Sequence, residues 1–299
     1  MKSIEKNTPA KLEANPPRVS ELRRIIKVMF SRWVVTFGAV IILILILVAI
    51  FAPLLAPYDP NEQHLSLVLE PPSEKFRLGT DDLGRDLLSR IIYGSRISML
   101  VGIVAVSIAG FFGMGLGLLA GYYGKWIQSV IMRFIDALMA IPPLVLILAI
   151  AAVLGAGLFN VLVALGIGLL PTYTRLMCGQ ILSLKENDYV IAARAIGASN
   201  LRIMLRHLLP NSFPPLLVLI TLNMGSAILM EATLSFLGIG IAPPTATWGA
   251  LVSNGQVQIL LHPLLSFLPG MCILLVVLAF NMVGDGLRDA LDPRLRGTL

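Results

Sequence analysis

The sequence predicts an all-α integral membrane protein with six transmembrane helices. Three observations lead there. Hydrophobic residues make up 57% of the 299 and charged residues only 13%, about half the ~25% of a soluble domain. The apolar residues gather into six runs, each near the roughly 20 residues that cross a bilayer. Lysine and arginine are distributed unevenly between those runs, as in chains with a fixed membrane orientation.

The runs lie at about 35–56, 98–121, 131–154, 159–179, 213–236 and 266–286. The first, VVTFGAVIILILILVAIFAPLLA, is the clearest. It is too long for a signal h-region and is not followed by a small-residue cleavage site. Only Gly155, Ala156, Gly157 and a few neighbours separate the third run from the fourth, which predicts a tight helical hairpin. Pro171 predicts a kink in the fourth. Ahead of the first run, residues 18–33 place apolar side chains at 19, 22, 26, 29 and 33 with a basic opposite face. That is either an interfacial helix or a plain topology anchor. The chain divides into a basic tail, 1–34, and one domain, 35–299.

Charge sets the orientation. The tail carries eight Lys and Arg, and segment 180–211 carries Lys185, Arg194, Arg202 and Arg206. Segment 237–265 has none, and segment 57–97 has five against seven acidic residues. Both termini and segment 180–211 are therefore expected in the cytoplasm. The net charge of +6 is a topological signal, and no nucleic-acid partner follows from it.

Segment 189–211, YVIAARAIGASNLRIMLRHLLPN, is the unusual one. Glu186 and Asp188 favour a helix start, and Gly197 suits a left-handed cap at its end. Ser199 or Asn200 can then cap a second helix, Leu201–Leu208. Pro210 marks the return to the membrane. The result is a helix–glycine–helix elbow over 186–208. The small Ala192, Ala193 and Ala195 admit close approach of another surface, and Arg194, Arg202 and Arg206 are free donors. An ordinary amphipathic interface helix is the plain alternative.

On the other side of the membrane, residues 78–99 read LGTDDLGRDLLSRIIYGSRISM. Gly79 and Gly84 permit turns. Asp86 and Arg90 have i,i+4 spacing, an expected ion pair worth a few tenths of a kcal/mol on an exposed helix. Arg96 is placed to snorkel to the interface.

Glu231 lies in the fifth run, nearer its outer end. A lone carboxylate at mid-depth in lipid costs roughly 2.5–3.5 kcal/mol, so it is expected to face the bundle interior, a cavity or a partner. It is either a path residue or a buried hydrogen-bonding strut. Asn223, Ser226 and Ser235 share that run, spread over about half of the helical wheel. Asp136 with Arg133, and Asp285, Arg288 and Asp289, are expected as structural ion pairs. Trp248, in an apolar loop, is either an interface aromatic or part of a loop folded back over the path.

Some chemistry has no support in the sequence. His64, His207 and His262 are far apart and lack ligand spacing, so no metal site is expected. Cys178 and Cys272 sit in or beside apolar runs and read as packing residues. There is no phosphate-binding loop with Lys-Ser/Thr and no shared constellation of catalytic groups. Catalytic residues are expected to be none. An embedded enzyme needs clustered titratable groups, and Glu231, Asp136 and Asp285 are scattered.

Two sets of residues carry a family resemblance. Ala192, Ala193, Gly197, Leu209 and Pro210 match, in register, the loop motif of importer permeases of the ATP-binding-cassette class: Glu-Ala-Ala, three residues, Gly, nine residues, Ile, one residue, Leu-Pro. Ile191 stands where the motif has Glu, and His207 where it has Ile. The second set is Gly79, Thr80, Asp81, Gly84, Arg85 and Asp86 followed by SR and G-x-R-x-S, which resembles the dipeptide/oligopeptide/nickel branch. ATLSFLGIGIAPPTATWGALV (232–252) and NMVGDGLRDALDPRLR (281–296) resemble the same branch, and the likeness runs from about 50 to 296. The chain is similar to its "C"-type permeases.

The resemblance implies the type I importer transmembrane fold in a bacterial inner membrane. It implies partners: a second permease, two ATPase subunits and an extracytoplasmic substrate-binding protein. ATP and magnesium then belong to the ATPase subunits, with no cofactor in this chain. The elbow, through Ala192, Ala193, Arg194, Gly197, Arg202, Leu209 and Pro210, becomes the helix that seats on an ATPase. The implied cargo is a di- or oligopeptide, with nickel or a metal–chelator complex as the alternative. A self-sufficient secondary transporter would need no elbow, and inverted repeats are not visible.

Overall fold

The computed structural model describes residue 26 and residues 28–291. Most of the tail expected to form an interfacial helix lies outside them. The helices are α1 (Trp33–Ile50), α2 (Ala52–Leu55), α3 (Leu87–Tyr123), α4 (Lys125–Met139), α5 (Pro143–Leu154) and α6 (Leu158–Leu184). They continue as α7 (Asp188–Ala195), α8 (Asn200–Ile203), a π turn (Met204–Leu208), α9 (Leu209–Phe236), α10 (Trp248–Gln256) and α11 (Leu264–Leu291). The described residues contain no β-strand.

Five uninterrupted helical stretches are long and apolar enough to cross a membrane. The sixth expected span is different. Run 131–154 is two helices, α4 and α5, bent by 90°. The cause is local. Pro142 adopts an extended backbone (φ −53°, ψ 134°) and Pro143 opens α5, where a missing N–H is harmless. The residue before a proline is pushed away from helical angles, so Ile141-Pro142-Pro143 cannot continue α4. The hairpin between the third and fourth runs is present, with α5 packed on α6.

The second elbow helix, expected over 201–208, does not stop before Pro210. Residues 200–236 form one continuous rod. Its π turn supplies the adjustment, with Leu209 N–H bonded to the carbonyl of Met204. Proline can neither donate to the previous turn nor accept its tight packing, and one wider turn accommodates it.

The α3–α6 pair forms the spine. Gly113, Gly117 and Gly121 form a small-residue face on α3 that meets Tyr173, Met177 and Ile181. A Cβ on Gly121 would lie 2.7 Å from that of Ile181, so only glycine lets the backbones approach this closely. α9 packs on α3 and α11, while α1 lies against α11. There Gly286 receives Val35. Arg32 is ion-paired with Asp289, and Asp136 pairs with Arg175 on α6 in place of the expected Arg133.

Candidate functional site

At one end of the bundle, the elbow is built by its caps. α7 starts after extended Asn187, with Asp188 in its first turn and Arg194 in its last, both favourable to the helix dipole. It ends in a full Schellman motif. Gly197 has φ +80°. Its N–H donates to Arg194 O at 3.0 Å, and the N–H of Ala198 donates to Ala193 O at 3.1 Å. Ser199 then caps α8, its Oγ accepting from Arg202 N at 3.4 Å.

The elbow is tied to the spine. Tyr122 Oη, at the end of α3, donates to Asn200 Oδ1 at 2.7 Å. The Arg194 guanidinium lies 5.9 Å from the Tyr122 ring centre, a cation–π distance. Lys185 Nζ donates to Gly121 O at 3.2 Å. Val190, Ala193, Ile203, Met204 and Leu208 are buried in the core cluster shared with α3 and α6.

The opposite face is apolar and bare. Ile196 is 85% exposed and Leu201 62%, and Ile191 and Leu205 are more than half exposed. Ala192, Ala195, Arg194, Arg202 and Pro210 are exposed beside them, while Leu209 is half-buried. The alanines thus divide: Ala193 packs inward on its own chain, and Ala192 and Ala195 face out. The outward row of large apolar side chains was not singled out from the sequence. The signal was available in the spacing of residues 191, 196, 201 and 205.

At the far end, residues 57–86 fold into a cap over the start of α3. Gly79 and Gly84 take positive φ, +81° and +71°, and a side chain on Gly84 would collide with the His64 carbonyl. Asp81 organises the turn. Its Oδ1 accepts from Leu83 N and Arg85 N, each at 2.9 Å. Its Oδ2 accepts from Arg85 Nε at 2.7 Å and lies 3.3 Å from Arg90 Nε. Thr80 Oγ1 donates to Leu67 O and accepts from Glu70 N. The expected Asp86–Arg90 pair does not form. Asp86 instead caps α3, accepting from Ser89 N at 2.8 Å. Both residues are buried, because the cap folds down over a turn that the sequence alone leaves exposed.

Glu231 is fully buried, and its Oε1 accepts from Ser235 Oγ at 2.8 Å. Its other oxygen has no partner among the described residues. Asn223 and Ser226 are half-buried and do not join this pair. Asn223 is eight residues away, about 12 Å along the helix. Ser235 also lines a crevice of about 360 Å³ with Arg85, Arg90, Ser253 and Asn254. Trp248 is no interface aromatic. It is buried, donating from Nε1 to Ile91 O at 3.0 Å, so α10 folds back onto α3.

Membrane-length helices from end to end define a multi-pass α-helical membrane protein. Residues 113–297 match the family described as binding-protein-dependent transport system inner membrane component. Residues 20–72 match the N-terminal transmembrane domain of oligopeptide transport permease C. The chain belongs to this family and is a permease of an ATP-binding-cassette importer.

Among its relatives, the dipeptide transport system permease protein DppC of Alkalihalophilus pseudofirmus is 45% identical, covering 93% of this chain and 91% of its own. The probable D,D-dipeptide transport system permease protein DdpC of Escherichia coli is 47% identical, over 87% of each chain. The di/tripeptide transport system permease protein DppC of Pseudomonas aeruginosa is 46% identical, over 87% and 88%. The fold is also that of a chain in the inward-facing MetNI methionine ABC transporter, with TM-score 0.56 at 17% identity, covering 68% of this chain and 97% of that one. This match bears out the type I importer fold.

Proposed function

We propose that this permease carries di- and oligopeptides across a bacterial inner membrane together with a second permease. Two ATPase subunits holding ATP and magnesium power it, and an extracytoplasmic binding protein delivers the cargo. Both termini and the elbow face the cytoplasm. The elbow is the coupling element. Nucleotide-driven closure of the ATPases moves it, and Tyr122, Asn200 and Arg194 pass the motion to α3. The names of the relatives support peptide cargo, and nickel or a metal–chelator complex is the second reading that the branch allows.

The observation that carries the coupling role is the exposed row Ile191, Ile196, Leu201 and Leu205 on a rigidly capped elbow. Exposed apolar surface rimmed by polar groups marks a protein–protein or membrane contact site; Arg194 and Arg202 provide the rim, and the coupling role assigns the surface to an ATPase subunit. The test is Ile196→Asp in the assembled importer. The side chain touches little of its own chain, so membrane accumulation stays normal. ATPase subunits should fail to co-purify and peptide uptake should fall at least tenfold, the consequence of losing about 1.4 kcal/mol at the interface. Unchanged uptake and co-purification would remove the elbow from the coupling path.

A further inference from the structure

A cavity of about 740 Å³ opens between the last turns of α1 and the first third of α3. It lies at the end of the bundle opposite the elbow. Its lining changes character with depth. Ile46, Ile50, Leu100 and Ile103 form the deeper part, within the apolar stretches of both helices. Arg96 and Tyr93 lie one and two turns nearer the start of α3, and Asp59 and Asn61 come from the segment that follows α2. An apolar trench topped by arginine, tyrosine and a carboxylate has the profile of the water–hydrocarbon boundary.

The polar groups at the mouth are uncommitted. Arg96 is exposed, and among the described residues no carboxylate lies within ion-pair distance of it. Asp59 is exposed. Its Oδ1 accepts the N–H of Asn61 at 2.8 Å, and it too has no cationic partner among the described residues. The neighbouring arginines Arg85 and Arg90 are turned into the buried pairs with Asp81. Among the described residues, the mouth therefore offers an unpaired cation and an unpaired anion above a trench that water would wet poorly.

We infer that this cavity holds one phospholipid with a zwitterionic, primary-amine headgroup. Arg96 receives the phosphate, for which the planar guanidinium is suited. Asp59 receives the ammonium. One acyl chain fills the trench between α1 and α3, where it replaces missing helix–helix contact. A free phosphate would leave the trench empty. A purely anionic lipid would place its charge beside Asp59.

The experiment is lipid analysis of the intact importer extracted with its surrounding bilayer, from membranes containing both phosphatidylethanolamine and phosphatidylglycerol. Lipid retained after exchange into mild detergent is quantified by mass spectrometry for wild type, Arg96→Glu, Asp59→Asn and Leu100→Trp. Wild type should retain phosphatidylethanolamine above its bulk fraction. Arg96→Glu should reduce it by roughly two- to fivefold, the effect of an ion pair at a partly wet site, and the trench-filling Leu100→Trp should reduce it by excluding the acyl chain. Asp59→Asn should shift retention toward phosphatidylglycerol. All three substitutions lie at exposed positions, and thermal stability in detergent confirms folding. Retention at the bulk ratio, unchanged across the variants, would overturn the inference. So would a cross-link from Ile50→Cys to the second permease at high yield, which would show the trench filled by protein.

Discussion

The Nε of Arg90 lies 3.3 Å from the Asp81 carboxylate, with both side chains buried. The same oxygen also takes Nε of Arg85 at 2.7 Å. Arg90 in turn donates from Nη1 to Pro60 O at 2.9 Å. One carboxylate thus joins three pieces of chain: the turn at 79–86, the start of α3 and the segment after α2. Removing it leaves two guanidinium groups buried beside each other. Breaking a buried pair from one side costs about 3–5 kcal/mol. Asp81→Asn should therefore release the cap, seen as rapid proteolysis of residues 57–86 from that face of intact vesicles, with peptide uptake lost. Asp82→Asn is the control. Asp82 is half exposed, 3.5 Å from Arg85 Nη2, and its loss should cost no more than about 1 kcal/mol.

Gly197 tests the elbow's geometry separately from its surface. Nothing lies within 4 Å of a Cβ built there, but φ is +80°. The cost of a side chain is then backbone strain alone, roughly 1–2 kcal/mol for most residues and less for asparagine. Uptake should fall in the order Gly197→Asn, Gly197→Ala, Gly197→Val. A flat response across the three would mean that the Schellman turn is not needed in the working state.

How much of this was legible depends on distance along the chain. Span existence is a matter of local apolar length, and every expected run contains membrane-length helix, alone or as the bent α4–α5 pair. The glycine cap at Gly197 and the Ser199 cap follow from residues three or four positions away, and both are present. The bend at Ile141–Pro143 had a local signal, two prolines, but the continuous apolar run outweighed it. Long-range pairings were not legible. Asp81 finds Arg90 and Trp248 finds Ile91 only because the cap and α10 fold over α3. An i,i+4 rule applied to Asp86 and Arg90 had no means of seeing that. Gly113, Gly117 and Gly121 stand at four-residue spacing, a pattern that names a close contact without naming its partner.

That glycine face gives a sharp pair of variants. A Cβ on Gly117 would lie 2.5 Å from Thr174 O and 2.6 Å from Met177 Cβ, whereas Gly115 has nothing within 4 Å. Gly117→Leu should part α3 from α6 and abolish folded protein in the membrane. Gly115→Leu, two residues away on the same helix, should accumulate normally. Equal behaviour of the two would argue against close α3–α6 packing as the spine.

Glu231 separates a strut from a path residue. Its burial and its bond from Ser235 place it inside this chain's own packing, near the joint where Gly249 of α10 meets Ala232 of α9. A strut needs an acceptor for the Ser235 hydroxyl and does not need a charge. Glu231→Gln keeps that acceptor and should transport within about twofold of wild type. Glu231→Ala removes it and opens a void. It should lower stability by about 1–3 kcal/mol, read as earlier thermal aggregation of the detergent-solubilised importer. Ser235→Ala should be mild in wild type and milder still in the Glu231→Ala background, since the two share one interaction. If Glu231→Gln stopped uptake while the thermal transition stayed at the wild-type temperature, the carboxylate would be acting on the cargo or on the conformational cycle, and the path reading would stand.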